Sequence, residues 1–363
     1  MHHIPVATNE LETWNRVITQ SEDAWFWHST DWLAFVKAVG AEAFVEDLSF
    51  LIYNGREVVA ICPVILEERD GYRRFTYLGE FLPFPAFSRG VALELRMKAL
   101  EYYASTLKRI AQTRDVAYTR VIVPVLAPVS IGPCVSTWNH LLRYGYLDAS
   151  ASTQIILLGE TEETLWGNVR KGHRSDIKRA GESCEIRFWD RHTITSGKFD
   201  EYRQLHARDA GRVTRAADTF EMMLDWIRSG AAALVEASHA GTAAAFSLLI
   251  LFREGAYYAS ACREPDLTHL PAMHLIQWET IRWLKSNGYH QYDLGAQYFG
   301  PRWDHVPTAK DISIARFKRG FGGVTRRVDT VERFYSASVL ARVGANRLKS
   351  LVSAQSAGSS DST

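Results

Sequence analysis

Apolar and polar positions form two similar series of elements along the chain. In the first half, FLIYN (50–54) and EVVAICPVILEE (57–68) are predicted strands joined at Asn54-Gly55, a dipeptide typical of hairpin turns. A third strand, a helix, a fourth strand and a second helix are predicted next, in RRFTYLG, ELRMKALEYYASTLKRIAQ, TRVIVPV and TWNHLLRYG.

The second half repeats this order without repeating the residues. AALVEAS (232–238) and TAAAFSLLILF (242–252) flank a second hairpin turn, and GAYYASAC is the third strand. PAMHLIQWETIRWLKSNG, HQYDLG and SIARFKRGFG then read as helix, strand and helix. Strand meanders followed by a helix and a returning strand predict an α/β fold of two tandem units, each a mixed sheet with packed helices.

The pattern also predicts the domain boundaries. We expect an N-terminal domain at 1–150, a C-terminal domain at 151–352 and a disordered tail at 353–363, because the tail is small and polar. Between the two meanders lie three further helical stretches, ETLWGNVRKGHRSDIKRAGE, KFDEYRQLHARDAG and DTFEMMLDWIRSG.

Composition narrows the class of protein. The chain has 363 residues, 47% of them hydrophobic and 23% charged, as in a soluble globular protein. Its net charge of +1 provides no overall field that favours nucleic acid. The four cysteines (Cys62, Cys134, Cys184 and Cys262) show no metal-binding spacing, and no signal peptide or long apolar run is present. We therefore expect a cytoplasmic protein without a metal or a membrane span.

Several stretches together resemble a known family. LWGNVRKGHRSDIKRA, LHARDAGRVTRAADTF with its His-x-x-x-x-Gly-Arg-x-x-Arg spacing, LPAMHLIQWETIRWLKSNGYHQYDLG and the closing ARFKRGFGG occur in the order seen in Fem-like acyltransferases of the GNAT superfamily. AWFWHSTDWLAFV and the first meander extend the resemblance over most of residues 20–335. It implies two tandem GNAT-like domains and acyl transfer to an amine, and leaves the donor and the acceptor open.

A GNAT-type donor site usually binds a pyrophosphate at a helix N-terminus, where N–H groups and the helix dipole favour anions. The candidate is Leu270-Pro271-Ala272-Met273-His274. CREPDLTHLPAMH contains no glycine, unlike the loop of most acetyltransferases, although Fem-like relatives tend to lack it too. An ordinary buried helix that starts at a proline explains these residues equally well.

Two basic runs are candidate anion sites. His206 precedes Arg208, Arg212 and Arg215, a set suited to a diphosphate, with His206 as a possible general base. A solvated helix end is the alternative. The second run comprises Lys171, His173, Arg174, Lys178 and Arg179. A run like this is more often a solvated helix face. It could instead contact a nucleotide diphosphate or tRNA, and Arg174 is the proposed substrate contact.

The stretch after the last predicted strand carries the remaining candidates. Asp293 ends that strand and could accept a proton from an amine, whereas Lys318 in the closing motif could stabilise an oxyanion. Tyr298, Trp303 and His305 are expected to shape the acceptor pocket, and Tyr298 is also a possible acid for the leaving thiol. Arg89, in the loop EFLPFPAFSRG, is a candidate phosphate contact, although a packed surface loop is the more ordinary explanation.

These residues favour an N-acyltransferase that moves an acyl group from acyl-CoA to the amine of an amino sugar, probably one linked to a nucleotide, in surface polysaccharide biosynthesis. One alternative is a peptidoglycan-bridge aminoacyltransferase that uses aminoacyl-tRNA. The other is a non-catalytic scaffold of envelope synthesis. The nucleophile elbow, the phosphate-binding P-loop and the His-Glu-x-x-His zinc motif are all absent from the sequence.

Overall fold

The structure, a computed structural model, describes residues 1–6, 10–128 and 139–358. Within them the chain forms two compact units. The first comprises Met1–Ala151, Tyr298–Ile312 and Arg327–Thr363, and the second comprises Ser152–Gln297 and Ser313–Arg326. The first segment of the first unit ends at Ala151. The second unit is smaller than the continuous 151–352 that we expected, because the chain returns twice to the first unit.

The strands are, in chain order, β1 (His2–Pro5), β2 (Phe44–Asp47), β3 (Phe50–Asn54), β4 (Glu57–Cys62), β5 (Ile65–Arg69), β6 (Tyr72–Phe75), β7 (Leu82–Pro83), β8 (Ala86–Phe87), β9 (Val116–Ile122), β10 (Leu147–Asp148), β11 (Ala151–Leu157), β12 (Cys184–Trp189), β13 (Ala232–His239), β14 (Thr242–Phe252), β15 (Gly255–Arg263), β16 (Gln291–Ala296), β17 (Val324–Val328) and β18 (Thr330–Phe334).

The α-helices are α1 (Leu11–Gln20), α2 (Thr30–Val39), α3 (Leu93–Arg114), α4 (Glu162–Asn168), α5 (Lys171–Gly181), α6 (Ser196–Ala210), α7 (Ala217–Ser229), α8 (Ala272–Ser286), α9 (Ala309–Arg319) and α10 (Ala337–Gly358). Short 3₁₀ helices cover Phe26–His28, His140–Tyr144 and Pro265–Leu267.

The first unit contains two sheets. One has the order β1-β3-β4-β8, and the other has the order β10-β18-β9-β6-β5-β2, with β7 also paired to β9. The chain passes from β6 through α3 to β9, and these two strands are parallel. Leu100, Tyr103 and Leu107 are buried on one face of α3 at the three- and four-residue spacing of a helix.

Helix α10 completes the first unit beside β18. Arg347 donates two hydrogen bonds, of 2.6 and 2.7 Å, to the Glu332 carboxylate, which is only 1% exposed. Because α10 continues to Gly358, the prediction of disorder is wrong for residues 353–358. Residues 359–363 lie outside the described part.

The second unit is built on one sheet of order β12-β13-β14-β15-β16-β11-β17. Alternate residues of a strand face opposite sides of the sheet. Ala233 and Val235 belong to the core cluster that includes Leu275 and Ile276 of α8. On the other side Phe246 of β14 contacts Tyr202 of α6, with ring centroids 5.9 Å apart. Helices α5 and α8 therefore cover one face, and α6 and α7 cover the other.

The predicted α/β fold class is confirmed: the protein has two units, each containing a mixed sheet with packed helices. Both hairpins form at the predicted turns, with Asn54 paired to Glu57 and His239 paired to Thr242. The predicted strand at 57–68 divides into β4 and β5 at Pro63, which has no N–H to continue a ladder.

Other elements differ from the prediction. The helix expected over ETLWGNVRKGHRSDIKRAGE is two helices, α4 and α5. TWNHLLRYG forms only the 3₁₀ helix His140–Tyr144, and its residues 137 and 138 lie outside the described part. Cys62, Cys184 and Cys262 are free and buried, whereas Cys134 is among the residues not described. No helix in the described ranges is both long and apolar enough to cross a membrane.

Candidate active site

Strands β15 and β16 of the second unit pair only over a short length. In their parallel register Gly255 pairs with Gln291, Ala256 with Tyr292, and Tyr257 with Asp293. Beyond these pairs β15 continues beside β14 to Arg263, and β16 continues beside β11 to Ala296. The two strands therefore separate after Tyr257 and Asp293. We call the opening between them the β15–β16 wedge.

Asp293 lies at the start of this wedge and is 3% exposed. Its Oδ1 accepts hydrogen bonds from the Thr153 hydroxyl at 2.5 Å and from the Gly295 N–H at 2.7 Å. Burial raises the pKa of Asp293 to about 6, against the opposing effects of these two hydrogen bonds and of the Lys318 charge. The carboxyl group is therefore able to gain and lose a proton near neutral pH.

Lys318 of α9 provides the opposite charge. Burial lowers the pKa of its ammonium group, and the nearby Asp293 carboxylate acts in the other direction. Its Nζ lies 5.9 Å from the centre of the Tyr258 ring on β15. A Cβ at Gly295 would lie 2.9 Å from this Nζ, and Gly295 has a φ of +88°, so only glycine suits this position. Asp293, a buried residue, and Lys318, a partly buried one, thus lie on either side of Gly295.

Helix α8 begins beside the end of β15. Pro271 is its N-cap, with φ −81° and ψ 43°, rather than its first helical residue, and no side chain caps the helix. The N–H groups of Ala272 and Met273 have no acceptor within the helix, as in any first turn. Of the predicted donor-site residues, Leu270, Ala272 and Met273 therefore lie at a helix N-terminus that an anion can approach.

His274 is placed differently, although it is in the same turn. Its ring lies edge-on to His173 and Phe317, with centroids 4.5 and 5.0 Å apart. Burial lowers the pKa of His274 to about 4, so the ring is neutral at pH 7. The side chain packs between α5 and α9 and leaves the helix N-terminus to the backbone.

The basic run on α5 is not a uniform solvated face. His173 is 2% exposed, whereas Lys171, Lys178 and Arg179 are exposed. Arg174 donates to the Trp166 and Gly167 carbonyls, which satisfies the end of α4 and gives this residue a structural role.

His206 lies on the other face of the sheet. Its ring contacts Tyr202 and Phe220, with centroids 5.9 and 5.8 Å away. Burial, followed by the Arg215 charge, lowers its pKa. His206 lines a cavity of about 370 Å³ between α6 and α7, together with Arg215 and Thr214. It is therefore not grouped with Asp293 and Lys318, and Arg212 is exposed in the adjoining turn.

Four predicted site residues belong to the first unit. The rings of Tyr298 and His305 are 4.8 Å apart, and Trp303 is 54% exposed. Asp304, which the sequence analysis missed, fixes this loop by accepting hydrogen bonds from Arg120 at 2.8 Å and from Arg302 at 3.0 Å. Arg89 is exposed beside a cavity of about 460 Å³ that Arg96 and Ser88 also line.

The second unit is a mixed sheet whose strands separate beside a crossover helix, with a carboxylate and an ammonium group near that point. Residues 167–305 match the family described as Acetyltransferase (GNAT) domain, a range that includes α8 and Asp293. Residues 167–305 are thus matched as a GNAT-type acetyltransferase domain, and the predicted Fem-like fold is confirmed.

Three solved structures are similar over almost the whole chain, each at 12% identity. The FemX crystal structure has a TM-score of 0.64, with 94% of this chain and 99% of that chain covered. The C-terminal domain of a putative lysylphosphatidylglycerol synthetase from Agrobacterium fabrum has a TM-score of 0.57, covering 94% and 96%. L-PGS from Bacillus licheniformis has a TM-score of 0.58, covering 93% and 96%. At this identity the likeness shows the fold. No curated protein matches the chain in sequence.

Proposed function

We propose that the protein transfers an acyl group from acyl-CoA to the amine of an amino sugar, with a nucleotide-linked sugar as the expected acceptor, in surface polysaccharide biosynthesis. The observation that supports this most directly is the Asp293–Lys318 pair at the start of the β15–β16 wedge. A carboxyl group with a pKa of about 6 can take a proton from an ammonium ion, and a buried cation can stabilise an oxyanion. Amide formation from a thioester requires both.

The proposed reaction needs no further reagent. The acceptor ammonium gives one proton to the Asp293 carboxylate, and the resulting amine attacks the thioester carbonyl carbon, which forms the C–N bond. The Lys318 ammonium stabilises the negative oxygen of the tetrahedral intermediate. Collapse breaks the C–S bond, the nitrogen loses its extra proton, and the thiolate takes up one proton.

In this proposal the donor diphosphate binds at the N-terminus of α8. The Ala272 and Met273 N–H groups and the positive end of the helix dipole would bind its oxygens. Lys171, Lys178 and Arg179 lie on α5, which packs against α8, and their exposed charges add to the attraction for an anion. His274 would contribute little charge, because burial keeps its ring neutral.

The acceptor proposal uses the cavity between α6 and α7. Arg215 lies 5.6 Å from the centre of the Phe220 ring and also contacts the Met223 sulfur, so its charged group lies on an apolar wall. An arginine in such a cavity suits a phosphate of the acceptor. Arg89, Tyr298, Trp303 and His305 of the first unit stay candidate substrate contacts.

The second candidate is transfer from aminoacyl-tRNA to a peptidoglycan bridge. Two observations favour it: the turn before α8 has no glycine, and the cations of α5 are solvent-exposed, as a tRNA backbone contact would require. Both candidates use the same Asp293–Lys318 chemistry and differ in the donor.

Donor and acceptor binding can be tested by thermal shift with acyl-CoA, nucleotide-linked amino sugars and aminoacyl-tRNA. We expect acyl-CoA and a nucleotide-linked amino sugar each to raise Tm. We expect Lys318→Ala to lower kcat/KM for transfer by about 100-fold or more, because an oxyanion contact is lost. Lys310→Ala, an exposed lysine on the same helix, is the matched control. The leading proposal is lost if only aminoacyl-tRNA raises Tm, with binding that weakens steeply with salt.

A further inference from the structure

The last residues of α9 and the turn after them are held by three hydrogen bonds from other parts of the second unit. His173 Nε2 lies 2.9 Å from the Phe317 carbonyl oxygen. The Arg170 backbone N–H donates to the Gly320 carbonyl at 2.8 Å, and Gln154 Nε2 donates to the Gly322 carbonyl at 2.5 Å. We call this segment, residues 317–322, the closing turn. The Phe317 carbonyl also accepts a hydrogen bond from the Gly320 N–H at 3.0 Å, within the segment itself. The three contacts from outside the segment tie it to the rest of the second unit.

His173 is the central contact of the closing turn. Its ring centroid lies 5.5 Å from that of Phe317 and 4.8 Å from that of Phe321. A Cβ at Gly320 would lie 2.0 Å from His173 Nε2, so the imidazole occupies the space that a side chain would need. The turn can therefore approach His173 only because residue 320 is glycine.

Arg170 determines which nitrogen of His173 carries the proton. Its Nη2 lies 3.1 Å from His173 Nδ1, and a guanidinium can only donate, so Nδ1 accepts. The proton is then on Nε2, which donates to the Phe317 carbonyl. Burial, as the largest effect, lowers the pKa of His173 and keeps the ring neutral in this tautomer.

We propose that His173 is a positioning residue: by holding the Phe317 carbonyl in this tautomer, it fixes the Lys318 ammonium beside Asp293. The role rests on the proposed function, because it acts through the two groups assigned to acyl transfer. Lys318 directly follows Phe317, so a displaced Phe317 carbonyl displaces the lysine too. The charge that acts on Asp293 is that of Lys318, and the titratable neighbours Tyr258 and Tyr292 are neutral because burial raises their pKa values.

A metal site is the competing explanation of these residues. His173, Asp176 and His274 place one ligand atom each within 4.8 Å of one another. However, Arg170 donates to His173, and Arg179 donates to the Asp176 carboxylate at 2.9 Å. These two guanidinium groups bind one atom each of His173 and Asp176, and their positive charges oppose a further cation beside them. The Arg170 contact also favours the positioning role, because it fixes the His173 tautomer.

The test measures the Asp293 pKa directly, by carboxyl carbon NMR titration of the whole protein. We expect His173→Leu, which removes the donor to Phe317, to raise the Asp293 pKa by at least about 0.5, because the Lys318 charge moves away. His173→Gln, whose amide nitrogen can replace Nε2 as donor, should keep a value near that of the unchanged protein. Lys318→Ala gives the upper limit of the effect. Arg170→Ala keeps the backbone N–H bond to Gly320 and should raise the Asp293 pKa by less than His173→Leu does. It is the second test variant if His173→Leu does not fold.

Activity gives a second readout. His173→Leu should lower kcat by about tenfold or more with the donor KM unchanged, and His173→Gln should restore it. An unchanged Asp293 pKa in folded His173→Leu or in Arg170→Ala overturns the proposal, even if activity falls. Stoichiometric zinc binding that His274→Ala abolishes also overturns it. If no acyl transfer is found but the NMR shifts appear as expected, the proposed function fails and the positioning of Lys318 stands.

Discussion

Asp293 and Lys318 are charged groups that the fold keeps away from water. The carboxylate is stabilised by the Thr153 hydroxyl and the Gly295 N–H, but burial outweighs these contacts and raises the pKa to about 6. Lys318 experiences the same effect with the opposite sign, since burial lowers its pKa. Both groups are thus moved towards their neutral forms, which is the condition a proton-transfer site requires near pH 7.

This pKa has a consequence for stability. The folded value of about 6 is above the ordinary 3.8, so the folded protein binds this proton more tightly than the unfolded chain does. The contribution of Asp293 to stability is therefore greatest below about pH 4 and is lost as pH rises through 6. We expect the free energy of unfolding, relative to that of Asp293→Asn, to fall by on the order of 3 kcal/mol between pH 4 and pH 7.

Urea denaturation of both proteins at intervals across this pH range measures the difference. Asp266→Asn, at an exposed carboxylate before α8, is the matched control and should follow the unchanged protein at every pH. If the free energies of unfolding of Asp293→Asn and of the unchanged protein vary with pH in the same way, Asp293 has an ordinary pKa in the folded protein.

The sequence identified some of these residues and could not identify others. Asp293 was found because it ends a predicted strand before a glycine, which is local information. Thr153 was not found, because it bonds Asp293 from a strand 140 residues away and belongs to no motif. His173 was read as part of a solvated basic run, since composition alone does not show that one member of a run is buried among aromatic rings.

The closing turn belongs to the scale of elements, since it joins α9 to α5 and β11. Gly320→Ala would place a methyl group 2.0 Å from His173 Nε2, so either the imidazole or the turn must move. We expect this variant to lose about 2 kcal/mol of stability or more, as other overpacked positions do. Gly172→Ala, on the same helix as His173, meets no atom within 4 Å and should instead be neutral or stabilising by up to about 1 kcal/mol.

Chemical denaturation of the two glycine variants provides the comparison. Equal losses of stability in both variants would mean that the close approach of Gly320 to His173 does not make residue 320 more sensitive to a side chain. A loss confined to Gly320→Ala would support the contact that fixes the closing turn.

Elements with local signals were predicted well. The hairpins formed where Asn54-Gly55 and Ala240-Gly241 allow a tight turn, and α8 formed over its periodic apolar positions. Strands β11 and β17 were missed because their pairing is not local: β11 lies between β16 and β17, far away in the sequence. The division between α4 and α5 was missed because the apolar periodicity continues across it.

At the scale of the whole molecule, the first unit depends on residues from both ends of the chain. Strand β18 lies between β9 and β10 and hydrogen-bonds to both. We therefore expect a fragment of residues 1–151 to show no cooperative thermal transition, because β9 would lose a neighbour over five residue pairs. A fusion of this fragment to residues 327–358 through a Gly/Ser linker should recover part of the transition.

Circular dichroism during heating distinguishes these outcomes. A cooperative transition of the 1–151 fragment alone, near the Tm of the full chain, would mean that β18 and α10 are not needed for the first unit. Periodicity could not show that residues after Gln297 return to the first unit, since those contacts join distant segments.

The return of the chain to the first unit also sets an order for its synthesis. A ribosome releases residues 152–326 before β18, so the second unit has its whole sheet available while the first still lacks a strand. The first unit, whose synthesis begins first, therefore receives its last strand after the second unit has been synthesised. Until Phe334 emerges, the nascent β9 offers an open sheet edge, the kind of surface that chaperones protect during translation.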